Sequence, residues 1–538
     1  TQTFSADYAG TGEANRWVTW VNNYNTNVTA NYLVNTSEKH KWNFLLGSEY
    51  QRSKSLSGDS YFGNATTTAL SDDFDSEATA VNRNNAVRWS FISYFGRVNY
   101  SYNNRLYAQL TNRVDGSSIF GANSRYGWFP SASLGYVISE LDFLKNNKTI
   151  NFLKLRSSYG ITGNADIDKN ARFPLYEDSN ASYNGQTIIY PTQLGNENLQ
   201  WETSNVFDLA LEAGLWKDRV TVEMAYYNKR STDVLMQVQV SPSTGFSNFW
   251  DNAAEVLNRG WELTLRSNNI VKKNFQWTSN MNFARNYNEI VNIGNYTPDA
   301  VSGGTNDTRV IVGSPIGSFM LVPFSHVDSE TGKPVFLDLD GNETFDYDFK
   351  NGRAYVGDGL PDVIMGLNNT FTYKNWDLTA LINVSLGAQI FDSSGKRQMG
   401  LMTDWNMRTD ILDRWTQPGD NAMYPQLTFD ETKYGFDPGD NAPWFNTSLY
   451  VYDADYARLK RLVLGYNVPA FKIRNKNITG MRVAFSATNV FTVTNFPGLD
   501  PEIVRDFENP QDRNLSGNIT YLTPPQERSY SVQINLTF

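Results

Sequence analysis

The chain has 538 residues, of which 14% are aromatic and only 19% charged, with a net charge of -10 and no cysteine. No stretch approaches the roughly 18 consecutive apolar residues of a membrane-spanning helix, and without cysteine there is no disulfide, thiolate metal site or thiol nucleophile. No basic run exists that could track a phosphate backbone, so no nucleic-acid partner is expected.

A mean hydropathy of -0.48 leaves one membrane architecture open. Each strand of a transmembrane β-barrel needs only every second residue to be apolar, and its lumen side can be fully polar. The 30 Tyr, 32 Phe and 14 Trp suit a pleated surface.

In chain order, the first strand expected lies near residues 16 to 35. A short turn holding His40 follows, and then a long connector near 58 to 86. Leu106, Ala108 and Leu110 alternate with Tyr107, Gln109 and Thr111, a period of two with one apolar and one polar face. The same period recurs where Trp376, Leu378, Ala380, Ile382 and Val384 interleave with Asp377, Thr379, Asn383 and Ser385, with Leu381 as the exception. It closes the chain, where Tyr530, Val532, Ile534, Leu536 and Phe538 alternate with Ser531, Gln533, Asn535 and Thr537.

Roughly 15 strand-like segments can be counted, many of them ten residues or longer, against about five or six for soluble strands and 9 to 11 for a tilted bilayer crossing. Asn103-Asn104, the stretches around Lys217-Asp218 and Lys272-Lys273, and Lys374-Asn375 are short turns. The connectors near 58 to 86, 164 to 199, 291 to 363, 393 to 450 and 493 to 527 are long and rich in Gly, Asn, Asp and Ser. Short turns on one side and long loops on the other are the pattern of outer-membrane barrels.

The expected fold is therefore all-β, a transmembrane antiparallel β-barrel with long extracellular loops and short periplasmic turns. With long loops outside, the first and last visible strands both run toward the periplasm, which cannot close an antiparallel barrel of even strand number. Residues 1-538 are accordingly expected to form the C-terminal portion of a 22-stranded barrel.

Several ordered blocks carry a family resemblance. They are Phe95-Gly96-Arg97-Val98-Asn99-Tyr100, Arg113-Val114-Asp115-Gly116-Ser117-Ser118, Gly127-Trp128-Phe129-Pro130-Ser131, Leu153 to Gly160 with Thr162-Gly163-Asn164, Trp201-Glu202-Thr203 and Asn258-Arg259-Gly260-Trp261-Glu262-Leu263. Later come Tyr456 to Tyr466 with Pro469, Ala487-Thr488-Asn489-Val490-Phe491-Thr492 and Gly498-Leu499-Asp500-Pro501-Glu502. Over almost the whole chain this order resembles the SusC/RagA-type TonB-dependent outer-membrane transporters of Bacteroidota. The resemblance implies nutrient import with a SusD-like lipoprotein as a lid and TonB acting through a plug, and an oligosaccharide or peptide as substrate. The plug, TonB-contacting segment and small N-terminal domain of that family are not recognisable here. As residues, the blocks suit turns and interface girdles better than substrate contacts.

Phe538 after an alternating strand resembles the signal read by the barrel-insertion machinery, and ordinary packing explains it equally. Asp338, Asp340, Asn342, Thr344 and Asp346 have the odd-position spacing of a calcium loop. Glu343 stands where such loops want Gly, and Phe349 where a bidentate Glu belongs, so a solvated acidic turn competes with calcium. Only His40 and His326 exist, which provides no histidine triad or multi-histidine zinc site. Trp250, Trp405, Trp415 and Trp444 could stack on sugars or peptides, or simply pack. No catalytic residue is assigned. The competing functions are a passive porin or surface receptor or adhesin barrel without TonB coupling, and a secreted glycan-binding or hydrolytic β protein.

Overall fold

The computed structural model describes residues 2–6, 12–65, 81–246, 248–301, 308–349, 351–398, 406–427, 446–473, 476–478, 480–502, 517–520 and 523–537. Phe538, Trp405 and Trp444 lie outside the described residues. The chain divides into two compact units. One holds Thr1–Leu134, Tyr159–Asn205 and Thr232–Asn252; the other holds Gly135–Ser158, Val206–Ser231 and Ala253–Phe538.

The first unit is built on an antiparallel meander of Gly12–Asn35, His40–Ala65, Val81–Tyr102 and Leu106–Ser117. Two of these strands run 24 and 26 residues, far beyond a bilayer crossing. His40–Ala65 and Val81–Tyr102 extend into what the sequence presents as the connector near 58 to 86. A further strand, Gln2–Ala6, pairs antiparallel with Gly12–Arg16, ahead of the first strand expected near residues 16 to 35.

Register explains the two faces. Because residues paired across a ladder share a face, Tyr32, Phe44, Val98 and Leu110 form one transverse row, and Asn27, Glu49, Ser93 and Asp115 form a row on the opposite face. The apolar face is open: Trp20, Tyr24, Val28, Leu46, Leu110 and Trp128 are all exposed.

The second unit repeats the logic through Asn248–Lys272, Phe275–Asn292, Val363–Tyr373, Trp376–Leu386, Tyr456–Val468, Gly480–Thr494 and Ser529–Thr537, each antiparallel to the next. Trp277, Phe371, Leu378, Leu464, Phe485 and Val532 fall in one apolar row. Val532 remains 68% exposed and Leu536 49%, so these side chains are not in a protein core. Leu381, the exception in the alternation, sits in a polar row between Asn368 and Arg461.

The turns follow local chemistry. Asn103 and Asn104 take φ of 49° and 53°, as a two-residue hairpin turn with both central residues left-handed requires, and Asn tolerates that region. Trp216, Lys217 and Asp218 are also left-handed, as is Lys374. Aromatic rings gather by these turns: Trp42 lies 4.3 Å from Tyr100, and Trp376 4.6 Å from Tyr466. Such clusters at strand ends fit an interface girdle.

The long connectors depart furthest from expectation. The stretch near 164 to 199 contains a hairpin, Leu175–Tyr183 with Gln186–Leu194. In the second unit the connectors form small sheets of their own, one joining Ser318–Leu321 with Ala354–Asp358 and another joining Gln389–Asp392 with Val451–Asp453 and Ile519–Thr520. They share a buried core that includes Phe319, Leu321, Phe391, Leu449, Tyr450 and Ile519. Each large apolar side chain so buried contributes about 1.5–3 kcal/mol, enough to hold connectors that look hydrophilic in composition.

Candidate functional site

On the polar face of the first unit, residues of four strands and one connector border an open cavity of about 410 Å³ lined by Gln51, Trp89, Phe91, Ser93, Arg113, Asp115, Asn164, Asp166, Lys169 and Trp201 among others. Arg113 and Asp115 are two apart on one strand, so both side chains point to the same face. The Arg113 Nε donates to both Asp115 oxygens at 2.7 and 2.8 Å, and its Nη2 donates to Ser93 Oγ at 2.9 Å and reaches Glu49 at 3.5 Å. This network fixes the floor of the cavity and leaves little free charge there.

The wall is aromatic. Trp201 packs on Phe91, Phe120 and Phe129 at centroid distances of 6.0, 5.1 and 5.3 Å, and its Nε1 donates to the Arg125 carbonyl at 3.0 Å. Trp89 meets Phe91 edge-on at 5.4 Å. A Cβ on Gly163 would come within 2.1 Å of the Phe129 ring, so this glycine allows the close approach on which the wall depends. At the rim, Asp166 is exposed, and Lys169 donates to the Ile167 carbonyl at 2.9 Å and lies 3.5 Å from Asp166.

Aromatic surface beside amide, carboxylate and ammonium groups can hold a neutral polar solute by stacking and hydrogen bonds. Neither histidine lines this cavity. Its residues were not singled out as binding residues from sequence. Arg113, Asp115, Gly163 and Trp201 stand in the resemblance blocks, where turn and girdle chemistry explained them. Trp89 and Gln51 carried no signal, because only register brings them beside Trp201.

The polar face of the second unit is a network of charges and amides. Arg156 donates to Glu212 at 3.0 Å and Asp208 at 3.1 Å and also meets Glu223, while Arg482 pairs with Asp377 at 2.5 Å. Asn258 Oδ1 accepts from Asn286 at 3.3 Å and Asn288 at 2.8 Å. Arg458, almost wholly buried, pairs with Asp500 and with Glu502 at 2.9 Å, and Lys460 reaches Glu502 at 2.8 Å. Burial alone would raise the Asp500 carboxyl. The Arg458 guanidinium and the amides of Glu502 and Gln526 outweigh it and hold the group below the usual carboxylate range. The Gly498 to Glu502 block thus clamps a connector to a strand.

The candidate calcium loop is the tip of a hairpin in which Pro334–Leu337 pairs with Glu343–Thr344. Asp338 accepts from the backbone N–H groups of Asp340 and Asn342 at 2.9 and 2.8 Å and from the Asn342 side chain at 3.1 Å. The amide and side chain of Asn342 lead in holding its carboxyl below the usual value. Thr344 accepts from the Asp346 N–H at 3.0 Å. Among the described residues no three His, Asp or Glu side chains are grouped as a metal would require. His40 Nδ1 lies 2.8 Å from the Tyr100 hydroxyl, and His326 is exposed beside Glu343 at 3.4 Å. Trp250 is buried in the cluster around Trp201, and Trp415 donates to the Ser329 carbonyl at 2.8 Å, so both pack.

The profile of the family described as TonB dependent receptor-like, beta-barrel matches residues 1–490. The chain belongs to this TonB-dependent receptor-like β-barrel family. Its fold is the all-β transmembrane antiparallel barrel of that family, and it is an outer-membrane protein. The apolar faces therefore meet lipid and the polar faces line the lumen. The family is one of transporters and receptors rather than enzymes.

TonB-dependent receptor P3 of Formosa agariphila is 31% identical over 470 residues, which are 83% of this chain and 45% of that protein. TonB-dependent receptor SusC of Bacteroides thetaiotaomicron is 31% identical over 456 residues, 80% of this chain and 43% of that protein. The solved RagAB peptide transporter superposes with a TM-score of 0.85 at 23% identity over 99% of this chain and 57% of that one, which shows a shared fold. The chain spans about half the length of the curated relatives it matches.

Proposed function

We propose that this chain forms the wall of an active importer that takes a nutrient, an oligosaccharide or a peptide, across the outer membrane. A SusD-like lipoprotein acts as its lid and TonB drives it through a plug. The observation that carries this reading is the separation of faces: an open apolar face on long strands, and behind it a polar face holding the aromatic cavity at Trp89, Phe91 and Trp201. The similarity in fold to a peptide transporter supports the peptide, and the family resemblance of the sequence blocks supports either class.

Uptake by whole cells tests the proposal. A fluorescent oligosaccharide and a fluorescent peptide are offered to cells with and without the gene, each with and without a functional TonB. Loss of uptake in both deletions supports active import and names the substrate. Uptake that needs the gene but not TonB overturns it in favour of a passive barrel.

A further inference from the structure

On the strands of the second unit the polar face treats its arginines unequally. Arg156, Arg458 and Arg482 each meet carboxylates. Arg266 and Arg461 meet none among the described residues, and both residues are exposed. Register places the two in one transverse row, Arg266, Asn280, Asn368, Leu381, Arg461, which spans four strand spacings, or roughly 19 Å.

Arg266 does not face a flat wall. It lines a cavity of about 340 Å³ together with Thr221, Asn268, Thr278, Asn280 and Asn368. These neighbours are neutral and can donate through amide or hydroxyl hydrogens. The one carboxylate in the lining, Asp218, takes a hydrogen bond from the Asn151 side chain and makes no ion pair with Arg266. In a chain of net charge -10, with acids placed against the other arginines of this face, a cation surrounded by neutral donors is arranged to accept an anion. Guanidinium plus amides match the two coplanar oxygens of a carboxylate or the oxygens of a sulfate. A low-dielectric wall focuses the field of an uncompensated charge into the water beside it.

We propose that Arg266 and its amide cavity form an oxyanion site on the lumen wall, with Arg461 as a second contact in the same row. The site takes a carboxylate or sulfate carried either by the solute passing through or by a protein segment seated in the lumen. This inference rests on the reading of the polar face as a transport wall.

The test uses the full-length protein in its native membrane, with Arg266→Gln, Arg461→Gln and the double variant. Uptake is measured for two fluorescent oligosaccharides of equal length, one neutral and one bearing uronic carboxylates. A fall of about tenfold for the acidic sugar alone, the scale of one charge-assisted hydrogen bond, supports the site with the solute as anion source. An equal fall for both sugars, together with a lower melting temperature of the purified variants without substrate, supports it with a lumen-seated segment as the source. A second readout is independent of transport: millimolar sulfate should slow modification of Arg266 by phenylglyoxal in the purified protein, followed by peptide mass spectrometry, while Arg219 at a turn is unaffected. Sulfate protection in a protein that imports neither these sugars nor the fluorescent peptide in a TonB-dependent way keeps the site and sinks the transport reading. No protection, with unchanged uptake of both sugars by the double variant, overturns the site.

Discussion

The strand faces and the connectors of the second unit use the same apolar residue types in opposite ways. Along the strands, Phe485, Val532, Ile534 and Leu536 lie exposed in paired positions. In the connectors, Phe319, Phe391, Tyr450 and Ile519 are almost completely buried against one another. The difference is one of solvent. Strand side chains face hydrocarbon and need only be apolar, whereas connector side chains face water and must find partners from other connectors. Exposure of an apolar residue in this chain therefore reports which medium it meets and says nothing of poor packing.

The largest effect expected is on the strand side of that contrast. Val532→Arg places a charge in lipid in the apolar row of Phe371 and Phe485, inside the girdle row of Trp376 and Tyr466, at a cost of up to about 2–4 kcal/mol, and it should abolish the heat-modifiable folded band in outer-membrane fractions. Asn535→Ala on the opposite face should leave that band at wild-type level. Equal behaviour of the two variants would break the assignment of faces.

A connector substitution should act locally. Phe391→Ala removes a fully buried ring, at about 3–5 kcal/mol. Limited proteolysis should then cut between residues 300 and 450 while the heat-modifiable band survives. If the band is lost as well, wall and connectors are not separable.

The clamp at Arg458 sharpens the comparison, because there a charge pair, rather than a core, fixes a connector. A carboxyl held below its unfolded value of about 3.9 contributes stability that is present above that pH and is lost as pH falls through its own lower value. Hydrogen exchange at Gly498 to Glu502 should therefore stay slow at pH 7 and 5 and rise only below about pH 4. Arg458→Gln should make exchange fast at pH 7, since it leaves Asp500 buried without its cation.

The smallest effect concerns the hairpin tip. Asp338→Asn keeps the shape but weakens the acceptor for three N–H donors, at a cost of about 1 kcal/mol or less. We propose a calcium titration of chelator-treated protein as the companion measurement. A heat of binding that this variant removes supports the calcium loop, and a flat titration supports the self-satisfied turn.

Legibility in the sequence followed range of interaction. The strands Leu106–Ser117, Trp376–Leu386 and Ser529–Thr537 declare themselves by their period of two, and Asn103-Asn104 declares its turn through its own backbone preference. The connectors did not, because Gly, Asn and Asp dilute an apolar core drawn from segments up to about two hundred residues apart, such as Phe319 and Ile519. The candidate cavity was only half visible. Arg113 and Asp115 stand two apart on one strand, but Gln51, Trp89 and Trp201 meet through register and loop packing alone.

By itself, then, the sequence determined the fold class and the separation of a lipid face from a water face, since alternation is a local property that survives without knowing which strands pair. The tertiary structure decided which side chains share a row, leaving Arg266 without an ion pair among the described residues while Arg156, Arg458 and Arg482 each gained at least one. Ladder register joins residues far apart in the chain, and a shift of a single residue would have turned each of them to the other face.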